Sequence, residues 1–221
     1  MLFLLWILIL IIPIAASINV KSTYSKYSKI PNSRGLTADQ VARQILDSNG
    51  LYNVQIEHIR GDLSDHYDPT ANVVRLSDSV YGKSSVAAIG VAAHECGHAV
   101  QHAESYSPVI LRSKMVPVTN FCSSASYILI LIGMVLSFNP LLINIGIVLF
   151  LGVVAFQLIT LPVEFDASSR ALKTLESSAI LEYDEVPKAK KVLSAAAMTY
   201  VAALLTSILQ VIRLVGISRR N

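Results

Sequence analysis

The sequence predicts a mainly α-helical membrane protein: about four transmembrane helices and one small cytosolic α+β domain. Three observations carry that expectation. Hydrophobic residues make up 53% of the 221-residue chain and charged residues only 15%, against about 25% charged in soluble domains. A soluble globule of that balance would expose apolar surface it could not cover. The charges are also unevenly spread: residues 1–20, 115–163 and 192–212 contain no Asp, Glu, Lys or Arg. The lengths of these stretches suit a bilayer, whose hydrocarbon core takes about 20 apolar residues of helix. A mean hydropathy of +0.54 excludes a disordered chain. A net charge of +3, with no basic stripe, argues against nucleic acid as a partner. Cys96 and Cys122 are too few for a disulfide framework.

Residues 1–20 form one span. A secretory signal would open with a positive segment, and Met1-Leu2-Phe3 has none, so an uncleaved anchor is expected. Residues 21–114 form a water-facing domain. Thr37 with Gln40 makes a capping box, opening a helix that Asn49-Gly50 stops. Val54 and Ile56, then Val73, Val74 and Leu76, read as short strands around a turn at Asp68–Asn72. Ser84 or Ser85 caps a longer helix reaching about Glu104, whose first half is small enough to pack closely. The 49 uncharged residues at 115–163 are too many for one span and fit two, about 121–138 and 140–161, divided by Asn139-Pro140. Residues 162–191 are water-facing again and open a helix. Residues 192–221 hold a fourth span and a tail; Ser194, Thr199, Tyr200, Thr206, Ser207 and Gln210 suit packing inside the protein.

Lysine and arginine near span ends set orientation. Lys21, Lys26, Lys29 and Arg34 follow the first span and nothing positive precedes it. Arg112 and Lys114 flank the hairpin on one side, Arg170 and Lys173 on the other. Both water-facing segments are therefore expected in the cytosol. Around the last span, Lys188, Lys190 and Lys191 balance Arg213, Arg219 and Arg220.

The chemistry stands on the longer helix. His94, Glu95, Cys96, Gly97 and His98 spell H-E-x-x-H. Two histidines four apart share a helix face, so both imidazoles can reach one metal. Zinc suits two imidazoles and a carboxylate in tetrahedral geometry. It would lower the pKa of bound water towards 7, and Glu95 beside the first ligand would act as general base on a peptide carbonyl. A bare five-residue match can arise by chance; here it lies mid-helix among small apolar residues, the context the motif requires. The metzincin extension would need Gly at 101 and His at 104, which are Gln101 and Glu104. His102 shares the face, but three histidines would span about 12 Å, so His102 reads as a supporting, substrate-side or surface group. Glu164 is the first charge after the long uncharged run and the best candidate for the third ligand, with Asp166 its rival. With Glu164 on the metal, Asp166 would hydrogen-bond a ligand imidazole from behind, and Arg170, four residues on, could pair with Asp166. Cys96 reads as packing. Gly97 is expected where another backbone, or substrate, approaches closely. His58 and His66 read as surface groups.

These residues carry a resemblance. His66-Tyr67-Asp68-Pro69, the run Val91 to Ala99 around His94 and His98, Leu161 to Ser168 and Thr199 to Ala203 resemble the YugP-like neutral zinc metallopeptidases, small bacterial membrane proteins, over nearly the whole chain. The resemblance implies one zinc ion per chain, a zincin-like domain, a protein or peptide substrate and a multi-pass place in the bacterial plasma membrane. More distantly the pattern looks like the gluzincin proteases related to CAAX prenyl proteases, which carry Glu-x-x-x-Asp; here the position four after Glu164 is Ser168. In that picture a strand just before the active helix lines the cleft, and 72–77 is expected to offer an edge to peptide.

The function expected is thus an integral-membrane zinc endopeptidase. A metal-holding adaptor or pseudoprotease, presenting partners to another enzyme, is the alternative; Glu95 argues against it, since a structural zinc has no need of a base. A transporter ranks last, because the spans carry no charge.

Overall fold

A computed structural model describes residues Leu2–Ser218. Arg219 and Arg220, which bear on the orientation of the last span, lie outside the described residues. In order, the elements are α1 (Leu2–Tyr27), α2 (Ala38–Ser48), β1 (Gln55–Ile59), β2 (His66–Asp68), β3 (Val73–Ser77), α3 (Val86–Ala103), α4 (Ser107–Val135), α5 (Pro140–Ser177) and α6 (Val186–Ser218). Among the described residues, four helices are long and apolar enough to cross a membrane: Phe3–Tyr27, Ser107–Val135, Pro140–Ser177 and Val186–Ser218. The chain divides into two compact units. One holds residues 18–109 and 163–197; the other holds the chain up to residue 17, 110–162, and the part from 198 on.

In the first unit the local signals work as chemistry dictates. The Gln40 side chain accepts from the Thr37 N–H at 3.0 Å, and Gly50 takes the left-handed conformation after α2, φ +72°. Ser85 caps α3, its hydroxyl accepting from the Ala88 N–H at 3.2 Å. The small first half of α3 packs as its composition demands: Val86, Ala87, Ala88, Ile89 and Ala92 are wholly buried, against Val41, Ala42 and Leu46 of α2 in one core. Leu76, Leu175 and Ile180 complete that core. Each such aliphatic side chain contributes about 1.5–3 kcal/mol of transfer free energy.

The sheet has the order β1-β3-β2, with β1 parallel and β2 antiparallel to β3. This corrects the expectation for 72–77. Strand β3 is central, and its backbone groups are spent on both neighbours. The edges belong to β1 and to β2, the latter a three-residue strand too short to show any alternation. The turn between them is built by Asp68, whose carboxylate accepts from the Thr70 and Ala71 N–H groups, and by Asn72 at φ +55°.

In the second unit α4 and α5 form the hairpin that Asn139-Pro140 foretells. Pro140 starts α5, and the Asn139 side chain accepts from the Leu141 N–H at 3.0 Å. A Cβ on Gly146 would lie 2.6 Å from the Ile130 side chain, and one on Gly133 2.8 Å from Ile143. Small residues let the two helices touch, as they do inside bilayers. The Ser126 hydroxyl donates to the Gly146 carbonyl at 2.8 Å. Both helices reach beyond the uncharged run: α4 begins at Ser107, and α5 passes Pro162 and continues to Ser177.

Candidate metal centre

Helices α3 and α5 supply the site. Helix α3 places His94 and His98 one turn apart, with ring centroids separated by 4.7 Å. Beyond Pro162, α5 turns the stripe Val163, Ala167, Ala171 and Leu175 into the core at helical spacing, and Glu164 stands beside that stripe, 1% exposed. Close approach of the two helices requires Gly97: a Cβ there would meet the Ala167 carbonyl oxygen at 2.7 Å. This is the approaching backbone that a glycine inside the motif foretells.

The Glu164 Oε2 atom lies 3.3 Å from His94 Nε2 and 3.5 Å from His98 Nε2. One donor atom from each of the three residues falls within 4.8 Å of the others. In a tetrahedral site with bonds near 2.1 Å, neighbouring ligand atoms stand about 3.4 Å apart, so both separations from Glu164 match the edges of a zinc site. Burial alone would raise the Glu164 carboxyl, but hydrogen bonds and charge from the two imidazoles outweigh it and hold the group well below the usual carboxylate range. Burial lowers His98, and Glu164, with Glu95 and Gln101 adding, reverses that into a net rise. Glu164 is therefore held as a carboxylate beside the two imidazoles.

Behind the imidazoles stand groups that hold them. Ser168 Oγ lies 3.1 Å from His94 Nδ1, at the position where the gluzincin pattern carries Asp. His98 Nδ1 faces Gln101 Oε1 at 3.0 Å. Gln101, wholly buried, donates in turn to the Val163 carbonyl and to Asp166 Oδ2, both at 2.8 Å. Asp166 thus reaches His98 through Gln101, and its other strong contact is Arg170 Nε at 2.6 Å. Arg170 also holds Glu104 at 2.6 Å and lies over the Tyr106 ring. A cleft of about 460 Å³, lined in part by Gly97, Glu104, Asp166 and Arg170, opens beside this group. Ser168 and Gln101 were missed as site residues in the sequence; the departure from Glu-x-x-x-Asp at Ser168 was the one available signal.

Glu95 points elsewhere. Its Oε2 accepts from the Tyr67 N–H of edge strand β2 at 3.0 Å, so the edge holds the carboxylate by a main-chain donor. Nearby, burial raises the Asp65 carboxyl, hydrogen bonds from Ser77 oppose the rise, and the charge of Glu95 adds to it. His102 packs edge-on against the Tyr67 ring, centroids 6.0 Å apart. Cys96 is buried, its thiol directed at the Ala42 carbonyl, and burial pushes that thiol far up. His58 pairs with Asp78, and His66 lies beside Arg75, both on the surface.

Comparison with known proteins points to zinc. A family described as "Putative neutral zinc metallopeptidase" matches residues 2–219. A Bacillus subtilis (strain 168) protein named "Putative membrane protease YugP" is 54% identical over 203 residues, 91% of this chain and 89% of that protein. No solved structure matches the chain. Helices of membrane length, a three-donor zinc-type cluster and a match running through nearly the whole sequence converge: the chain belongs to the YugP-like neutral zinc metallopeptidase family.

Proposed function

We propose that this protein is an integral-membrane zinc endopeptidase of the gluzincin type, hydrolysing peptide bonds of protein substrates on the cytosolic side of the bacterial plasma membrane. The observation that carries the reading is the convergence of His94, His98 and Glu164, with Glu164 at tetrahedral-edge distance from both imidazoles and Glu95 adjacent and outside the set. Zinc, when bound there, supplies Lewis acidity, acidifying water and polarising a carbonyl. His94, His98 and Glu164 hold the ion. Glu95 works as the base: the Tyr67 N–H fixes Oε2, leaving Oε1 to take the proton from the attacking water and then pass it to the leaving amine. Ser168 and Gln101 keep the two imidazoles aimed.

Purified protein tests the reading directly. Glu95→Gln is expected to retain zinc at wild-type stoichiometry while cleavage of casein or a membrane-derived peptide falls by at least about 100-fold. Full activity in that variant overturns the mechanism. A wild-type protein that holds zinc and cleaves nothing points instead to the adaptor reading.

A further inference from the structure

We propose that Gln101 is a positioning residue that sets the tautomer of His98. The proposal rests on the zinc reading above and adds to it the device that makes one ligand competent before metal arrives. A side-chain amide can be turned either way, and what surrounds it decides which. Here the two neighbours on the far side of Gln101 are a main-chain carbonyl, Val163 O, and the carboxylate of Asp166, each at 2.8 Å. Both only accept. The NH2 must face them, since the flipped amide would set oxygen against oxygen twice in a site with no solvent access at Gln101. The Oε1 atom is then committed to His98 Nδ1 at 3.0 Å. An obligate acceptor at that nitrogen requires a proton on it; the competing acceptor, Glu164 Oε2, stands farther off at 3.5 Å from Nε2, so the neutral ring carries its hydrogen on Nδ1 and leaves Nε2 free to bind metal on the side of Glu164 and His94.

The chain of constraints continues outward. Asp166 is kept in place by Arg170 Nε at 2.6 Å, and Arg170 by Glu104 at 2.6 Å. Arg170 therefore acts on His98 through three hydrogen bonds without touching the site. The other ligand has no such lock. His94 faces the Ser168 hydroxyl, which donates or accepts by rotating. The two imidazoles differ in this respect: one is dictated, the other permissive.

The test uses the full-length protein in detergent, with 15N-labelled histidine. Spectra of the metal-free chain, recorded where the ring is neutral, report which His98 nitrogen bears the proton, and chelator competition reports zinc affinity. Wild type is expected in the Nδ1–H form. The near-isosteric Gln101→Met is expected to lose that preference and to bind zinc about 10–100-fold more weakly. Asp166→Asn, which keeps an acceptor for Gln101 while removing the charge, is expected to keep the wild-type tautomer. An Nε2–H ring in wild type overturns the proposal, as does an unchanged tautomer and zinc constant in Gln101→Met. If Gln101→Met does not fold, the wild-type spectrum still decides. Failure of wild type to bind zinc defeats the metallopeptidase reading instead, and leaves the spectrum to judge Gln101.

Discussion

Two glycines on one helix make opposite demands. At Gly97 an added Cβ would lie 2.7 Å from the Ala167 carbonyl oxygen, a backbone atom that cannot swing aside. Gly97→Ala must push α3 and α5 apart at the level of the metal donors, and is expected to cost about 1–3 kcal/mol of stability together with zinc retention. At Gly90 the nearest atom would be the Ala189 side chain at 3.5 Å, an ordinary contact. Gly90→Ala is expected to be neutral, or to stabilise by up to about 1 kcal/mol through helix propensity. Thermal unfolding and zinc content of both variants check the pair. The same residue scale shows what a sequence can carry. His94, Glu95 and His98 were legible because their relation is local, fixed by helix periodicity alone. Even the tight approach at Gly97 was foretold, since a glycine inside a helix needs a reason. Ser168 was not legible as a support, since it meets His94 from 74 positions away; Gln101 stands three after His98 on the same helix, a spacing that permits the contact, but what fixes it there, Val163 and Asp166, lies more than 60 positions away.

Among the elements, α5 carries the sharpest division of labour. Glu164 and Asp166 are two residues apart, yet the helix sends one to the imidazoles and the other to Gln101 and Arg170. Glu164→Ala is therefore expected to abolish stoichiometric zinc, whereas Asp166→Ala should weaken binding by about 10–100-fold and stay occupied when zinc is in excess. Metal analysis of both variants checks this, and the reverse pattern would make Asp166 the ligand. Helix α5 also shows why element boundaries were hard to read. The uncharged run marks only the part long enough for a bilayer, while the helix goes on because residues after Pro162 bury an apolar stripe of their own. Strand β2 escaped notice because three residues, His66–Asp68, cannot display a period. Its role is set by pairing with β3 and by the Tyr67 N–H, both products of tertiary packing.

At the scale of the molecule, the charge asymmetry around the spans makes a topological prediction. In a background of Cys96→Ala and Cys122→Ser, a cysteine at Ser137, in the exposed turn between α4 and α5, should react with an impermeant thiol reagent added to intact cells. Cysteines at Asn53 and Tyr183, both exposed, should react only after the cells are opened. Labelling of Asn53→Cys from outside would invert the orientation and put the site on the opposite face. The number of membrane-length helices was legible because hydrophobic length is a one-dimensional property. The pairing of segments 18–109 and 163–197 into one unit was less so, because only the three-dimensional fold brings chain regions on either side of the hairpin together. That split has a consequence for biogenesis. The ribosome delivers His94 and His98 first, then the whole hairpin, and Glu164 only afterwards. A chain interrupted between residues 98 and 164 has two imidazoles and the base but lacks the carboxylate that completes the donor set. On the proposed function, proteolytic competence is withheld from every nascent chain that has not yet reached Glu164. The order of synthesis does the work that a removable propeptide does in secreted proteases.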